Sequence, residues 1–286
     1  NIKYLYYMPL DVKSRRGDQV RLELFFEESP VFTTRDLKEF LKKNEAKSLE
    51  NYSVLLNYHV KRGRVLKICR GLYAVVPLNQ KAEQFAPDSF LIAGKRTEDA
   101  ILAYHTAQEF NGNTYSLFST RTFLTMKSVH PLVFREIEYI PTHPSQNLLR
   151  SDNYFLLTEQ VDIKGINVLI TSRERTFADM LDRPNLCGGI EEVWRSLKMT
   201  EYLNTENLLN YLRALDNSTT SAKVGFFLQR HPKITNNDRP LLRELKKMIP
   251  VSPHYFDRSR LERARLVKDW NLVIPEYILN ERWEEQ

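Results

Sequence analysis

Along the first quarter of the chain the apolar positions switch from helical spacing to strict alternation. In Gln19–Phe26 the residues Val20, Leu22, Leu24, Phe25 and Phe26 are spaced for a first helix. Pro30 ends it, because proline disfavours helix at the residue before it. Thr33 is placed to cap a second helix, with Asp36 at its third position as a variant capping box and Phe32 and Leu37 as the hydrophobic staple. Leu37, Phe40 and Leu41 form its inner side. A polar stretch, Lys42 to Lys47, leads to Ser48, the expected cap of a third helix running to about Arg62. Its inner side is built from Tyr52, Leu55 or Leu56, and His59 or Val60. Its outer side carries Asn51, Ser53, Asn57, Tyr58 and Lys61. Gly63 closes it, as expected just past a helix end. Arg64 to Val76 reads as a hairpin, with Leu66 and Ile68 alternating on one arm, Tyr73 and Val75 on the other, and Arg70-Gly71 between them. Three helices and a two-stranded wing predict a winged helix-turn-helix over residues 1–80.

Pro77 to Pro87 is polar with a proline at each end, and predicts a linker. A second, larger domain is expected over 88–286. Ala100, Ile101, Tyr104 and Ala107 predict a helix over Thr97–Phe110, stopped by Asn111-Gly112-Asn113. Short β-like runs follow at Tyr115–Phe118, Phe134–Ile140, Tyr154–Leu157 and Ile166–Ile170. Helices are predicted over Glu174–Leu181, Ile190–Leu197, Thr205–Leu215 and Ser221–Gln229, with Gly225 in the last marking a close backbone approach. Residues 238–286 are highly charged with scattered apolar positions. No internal repeat of fixed period appears. The fold class is α+β: an N-terminal winged helix-turn-helix followed by a larger mixed α/β C-terminal domain.

Charge sharpens this division. The 286 residues carry a net charge of +6. Residues 1–80 hold 15 Lys and Arg against 9 Asp and Glu, and the remainder balances at 27 of each. The whole excess therefore sits on the helix-turn-helix segment, which points to an anionic partner there, nucleic acid first. Hydrophobic residues make up 42% of the chain, enough for a sizeable core and too many for a disordered protein. Only 9 glycines exclude low-complexity and collagen-like chains and argue against a Gly-rich phosphate cradle. Cys69 and Cys187 are too few for a disulfide framework or a four-cysteine zinc site, and each reads as a small buried hydrophobe. No stretch approaches 18 uncharged apolar residues, and the first residues lack the pattern of a signal peptide. The expectation is a reducing, cytoplasmic setting. The chain begins without Met, which leaves the true N-terminus open.

The third helix is the expected reader of DNA, since a recognition helix offers side chains to base edges in the major groove. Asn51 and Asn57 suit bidentate pairing with adenine. Ser48, Ser53, Tyr58, Lys61 and Arg62 are candidates for phosphate or base contact. Thr33, Thr34 and Arg35 open the second helix, whose N-terminus favours a phosphate. Arg64, Lys67 and Arg70 line the wing within reach of the backbone or minor groove. Catalytic patterns are weaker. Leu91–Thr97 resembles the end of a P-loop, but Ser89 stands where that motif needs glycine. The six histidines form no HExxH pair or close triplet, and His105, on the helix expected over Thr97–Phe110, reads as a satisfied interface histidine and not as a metal ligand. Asp179, Asp182, Glu191 and Glu192 are the one carboxylate cluster that can be read as a metal or acid–base site. No GxSxG elbow or nucleophilic cysteine motif is present. No cofactor and no metal are expected.

Two stretches of the N-terminal segment, Phe32–Leu37 and Val65–Ala74 with its Arg70-Gly71-Leu72-Tyr73 run, resemble the winged helix of AbiEi-type antitoxins. Arg173–Val193, an RT-x-x-D-x-L-x-x-P segment followed by Gly188-Gly189, resembles the C-terminal domain of that family, as do Ala100–Ala107 and Val224–Leu228. The resemblance spans about residues 19–230. It implies the antitoxin of a type IV toxin–antitoxin system, which represses its own operon by binding inverted repeats in double-stranded DNA. It also implies a counterpart nucleotidyltransferase toxin, countered without a stable complex. Two other readings stand beside it: an orphan winged-helix regulator whose C-terminal domain senses a ligand, and a DNA-targeted metal-dependent nuclease using Asp179 and Asp182.

Overall fold

The computed structural model describes residues 22–44, 52–258, 263–281 and 283. These form two compact units. The first takes the described residues up to Arg96 together with Asp162–Asn167, and the second takes Thr97–Val161 and the described residues from Val168 onward.

In the first unit a helix, α1, covers residues 22–28. It is followed by β1 (Val31–Thr33), α2 (Thr34–Lys43), α3 (Tyr52–Lys61), β2 (Val65–Cys69), β3 (Leu72–Val75) and α4 (Ser89–Gly94). The three strands make an antiparallel sheet in the order β1-β3-β2. Leu22, Phe25 and Phe26 of α1, Phe32, Leu37 and Leu41 of β1–α2, Leu56 of α3, and Val65 and Val75 of the hairpin bury together. Phe25 meets Phe32 edge-on at 5.1 Å. Each such side chain contributes about 1.5–3 kcal/mol by leaving water.

The α2 cap is built as its sequence implies: the Thr33 hydroxyl accepts from the Asp36 N–H, and the Asp36 carboxylate accepts from the Thr33 N–H at 2.8 Å. Two features differ from the pattern reading. Val31–Thr33 is a strand, because its backbone pairs with Leu72–Ala74. In β2 a bulge between Lys67 and Cys69 breaks the alternation, so Val65 and Ile68 turn inward and Leu66 is only half-buried. The residue expected at the turn, Gly71, has φ +83°, a conformation that favours glycine.

The second unit holds β4 (Ile101–Leu102), α5 (Tyr104–Phe110), β5 (Thr120–Leu124), β6 (Leu132–Phe134), β7 (Ile137–Thr142), α6 (Gln146–Arg150), β8 (Thr158–Ile163) and β9 (Ile166–Thr171). The tip of the β8–β9 hairpin groups with the first unit. The strands form one mixed sheet in the order β6-β7-β5-β4-β9-β8. Then come α7 (Arg173–Asp182), α8 (Ile190–Leu197), α9 (Thr205–Leu215), α10 (Ser218–Arg230), α11 (Arg239–Lys246), β10 (His254–Tyr255), β11 (Ala264–Val267), β12 (Leu272–Pro275) and α12 (Glu276–Asn280), with a small sheet ordered β10-β12-β11. The core lies between α7, α8, α9 and α10, where Trp194 meets Phe227 at 4.7 Å and Tyr211 and Trp270 are fully buried. Trp270 lies over Gly225, so close that a Cβ there would overlap the indole.

The helix expected over Thr97–Phe110 is split. Ile101–Leu102 pairs with Phe123–Leu124 on one side and Leu169–Ile170 on the other, and helix begins only at Tyr104, whose φ is +56°. Tyr115–Phe118 and Tyr154–Leu157, read as strands, are irregular, and the adjacent Thr120–Leu124 and Thr158–Ile163 pair instead. The run Phe134–Ile140 holds a tight turn, with Arg135 and Glu136 both at positive φ.

Candidate nucleic-acid interface

The third helix divides cleanly by exposure. Leu56 and His59 are buried, and Tyr52, Leu55 and Val60 are half-buried against the same core. Ser53, Val54, Asn57, Tyr58, Lys61 and Arg62 are exposed. At about 100° per residue the exposed set spans roughly half the helix circumference. His59 sits edge-on to Phe26 at 5.1 Å, and burial holds its imidazole below the ordinary pKa, although Glu23 pulls the other way. It is a core histidine.

On the outer face the Arg62 guanidinium lies over the Tyr58 ring at 4.6 Å. Such a cation–π contact orients both side chains without neutralising the charge. Among the described residues, Ser53, Asn57, Lys61, Lys67 and Arg70 make no side-chain hydrogen bond or ion pair. Lys67 and Arg70 are exposed on and just after β2.

Other residues of the expected set are engaged. Arg64 turns inward: its side chain is 15% exposed, Nη2 meets Glu23 Oε2 at 2.7 Å, and Nη1 donates to the Val76 carbonyl. It closes the unit and does not reach outward. The N-terminus of α2 is filled by its own cap. The Thr33 hydroxyl serves the Asp36 N–H, the Thr34 N–H donates to the Gly71 carbonyl at 2.9 Å, and the Asp36 carboxylate occupies the first turn with Lys95 at 3.1 Å. A carboxylate there already satisfies the helix dipole and repels a phosphate. Arg35 pairs with Glu39 at 2.8 Å, with both side chains more than 60% exposed, a pair weak enough to exchange. Ser48 and Asn51 lie outside the described residues. Val54 was not singled out by the pattern, because an apolar residue on a polar face carries no signal of its own.

The segment bearing this face has a recognisable kinship. Residues 20–76 match the family described as transcriptional regulator, AbiEi antitoxin. The match coincides with the N-terminal part of the resemblance read from Phe32–Leu37 and Val65–Ala74, and the helix–helix–hairpin order of this AbiEi-like segment is consistent with a winged helix-turn-helix. No curated protein matches the chain. The fold is similar to the crystal structure of the RV2827C protein from Mycobacterium tuberculosis, with a TM-score of 0.53 over 89% of this chain and 90% of that one at 12% identity.

The carboxylate cluster of the second unit does not assemble into one site. Asp179 is buried, lies 3.5 Å from Arg175 Nε and accepts from the Tyr211 hydroxyl. Burial pushes its pKa up to about 6, against the opposing pull of Arg175. Asp182 accepts from Asn217 at 2.8 Å and Thr220 at 2.6 Å. The crevice that Asp179 and Asp182 share with Tyr104 and Arg183 is too narrow to admit a water molecule. Glu191 pairs with Arg195. Glu192 accepts from Ser196 and the Ser116 N–H, and lies 3.4 Å from His105. His105 also stacks on Phe118 and stands 3.6 Å from Glu109, and its burial lowers its pKa. Among the described residues no three His, Cys, Asp or Glu side chains group as metal ligands. Cys187 is buried and Cys69 half-buried, both as free thiols. No described helix is long and apolar enough to cross a membrane.

A separate cleft of about 520 Å³ lies in the second unit between α10 and β10, lined by Asp182, Asn217, Thr220, Lys223, His254 and Arg258 among others. Several of its polar groups are already engaged: Lys223 Nζ donates to the Leu181 carbonyl at 3.2 Å, and His254 Nδ1 lies 2.6 Å from the Thr219 hydroxyl.

Proposed function

We propose that this protein is a DNA-binding transcriptional autorepressor and the antitoxin of a type IV toxin–antitoxin system, with its N-terminal unit working as a winged helix-turn-helix. The observation that carries the DNA reading is the outer face of α3. It offers Ser53, Asn57 and Lys61 without side-chain hydrogen bonds or ion pairs among the described residues, with Arg62 held over Tyr58 beside them. In this reading α3 enters the major groove, Asn57 reads adenine, and Lys61, Lys67 and Arg70 hold phosphates. Phosphate contacts fix register and make affinity fall with salt, while base-edge contacts supply discrimination. Thr33 and Arg64 support this face from within, as cap and as closing ion pair.

Fluorescence anisotropy tests the reading with labelled duplex from upstream of the chain's own gene, a scrambled duplex of equal length and a salt series. Preference for the upstream duplex with a steep salt dependence is the expected result. Equal, weak binding to both overturns it. The antitoxin role, which rests on the family match over residues 20–76, is tested by rescue of growth when this chain is co-expressed with a nucleotidyltransferase toxin. A second reading, effector sensing by the C-terminal unit, is favoured by the polar cleft around Lys223 and His254. A metabolite that raises the melting temperature and changes DNA affinity would select it.

A further inference from the structure

The most solvent-directed apolar residue of α3 is Val54, 66% exposed. Taking about 100° per residue, it stands roughly 140–160° around the helix from the buried His59 and Leu56, which is the centre of the outer face. Its neighbours there are Ser53, Asn57, Tyr58 and Lys61. Valine lowers helix propensity, and among the described residues this one does not pack into the core of the unit. Its value at that position lies outside the unit.

We infer that Val54 is a specificity-determining residue that contacts the 5-methyl group of thymine. The inference rests on the DNA reading of α3 given above. In the major groove the thymine methyl is the one apolar feature of a base edge, and apolar side chains are what meet it. Val54 is suited to this because its branched side chain has little rotamer freedom to lose. Asn57 lies one turn further along the same helix, at the i, i+3 spacing that places two side chains side by side. The pair Val54 and Asn57 therefore selects an A·T-containing step: thymine through its methyl, adenine through its N6 and N7. A guanine–cytosine step offers Val54 no methyl and Asn57 no matching donor–acceptor pair.

The test removes the methyl from the DNA and the side chain from the protein. The upstream duplex is synthesised twice, with thymidine and with 2′-deoxyuridine at every thymidine position, and each is titrated with the full chain and with Val54→Ala. The wild-type chain is expected to bind the uracil duplex more weakly, by about fourfold for each methyl that Val54 contacts, the value of one buried methylene. Val54→Ala is expected to lose a similar factor on the thymine duplex, so that its preference for thymine over uracil is smaller than the wild type's by that factor. Any effect of uracil on DNA shape acts on both proteins and cancels in this cycle. Circular dichroism of the variant, an exposed substitution to a better helix former, is expected to match the wild type.

A Val54→Ala protein that keeps the wild-type preference for thymine overturns the inference. So does a wild-type chain that prefers the upstream duplex over the scrambled one yet does not distinguish uracil from thymine; in both cases the DNA reading survives. A wild-type chain with no preference for the upstream duplex fails the DNA reading itself, and this inference with it.

Discussion

α3 and α7 are both ten residues long, and both carry charge. They treat it in opposite ways. α3 turns Lys61 and, just past its end, Arg62 to solvent beside polar Ser53 and Asn57. In α7 eight consecutive residues, Glu174 to Leu181, are buried, among them Glu174, Arg175 and Asp179. Arg175 is fully buried, donating from Nη1 to the carbonyls of Tyr154 and Leu156 at 2.7 Å each. Glu174 accepts from the Asn204 N–H and the Ser172 hydroxyl. An exposed cation keeps its hydration and remains available to a partner. A buried one has exchanged water for fixed protein dipoles and is committed to the fold. The difference teaches that the charge of α3 stays in water within reach of a partner, whereas the charge of α7 is part of the fold.

The comparison breaks most readily at Arg175. Arg175→Met leaves Asp179 buried without its cation, and such a loss costs about 3–5 kcal/mol. Urea denaturation should show it as a large drop in midpoint; a loss below about 1 kcal/mol would mean that α7 tolerates an uncompensated charge. Next is Gly225→Ala, which drives a methyl into the Trp270 ring. Overpacking of this kind costs about 1–3 kcal/mol and should lower the melting temperature without changing salt-dependent DNA binding.

A subtler effect concerns pH. Burial raises the Asp179 pKa from 3.8 to about 6, so between these values the folded state holds a proton that the unfolded state has released. The stability this group contributes is complete below the lower value and is lost as pH rises through the upper one. The stability difference between wild type and Asp179→Asn should therefore change across about pH 4–6, and a constant difference over that range would refute the assignment. The smallest stability effect is expected on α3. Lys61→Ala should stay within about 0.5 kcal/mol of wild type, yet weaken binding to all duplexes alike and reduce the salt slope by about one. Asn57→Ala should instead relax sequence preference, and equal losses on upstream and scrambled duplexes would deny it a reading role.

Much of the first unit was legible. The Thr33–Asp36 cap, the inner side of α3 and the Arg70-Gly71 turn each depend on residues a few positions apart, so local spacing carries them. In the second unit α8 and α9 match the predicted ranges because their apolar stripes are bounded by Gly189 and by the cap Asn204. The strand Ile101–Leu102 was not legible. Its partners lie at 123–124 and 169–170, and Ala100, Ile101, Tyr104 and Ala107 happen to fall at helical spacing. The same holds for Arg64, whose sequence neighbours Lys61, Arg62 and Lys67 all face outward, while Glu23 draws it in.

By itself the sequence determined the ranges of α8 and α9, the Thr33–Asp36 cap, the Arg70-Gly71 turn, the concentration of positive charge in residues 1–80, and the polar part of the outer face of α3, because each is written in the chain itself or within one or two turns of it. Only the tertiary structure decided which charges are surrendered to the interior. Burying Arg175 requires the carbonyls of Tyr154 and Leu156 and the Asp179–Tyr211 pair to converge on it, and burying Arg64 requires Glu23 and the Val76 carbonyl. A charge leaves water only where such partners meet it, and those partners come from chain segments that no local pattern connects.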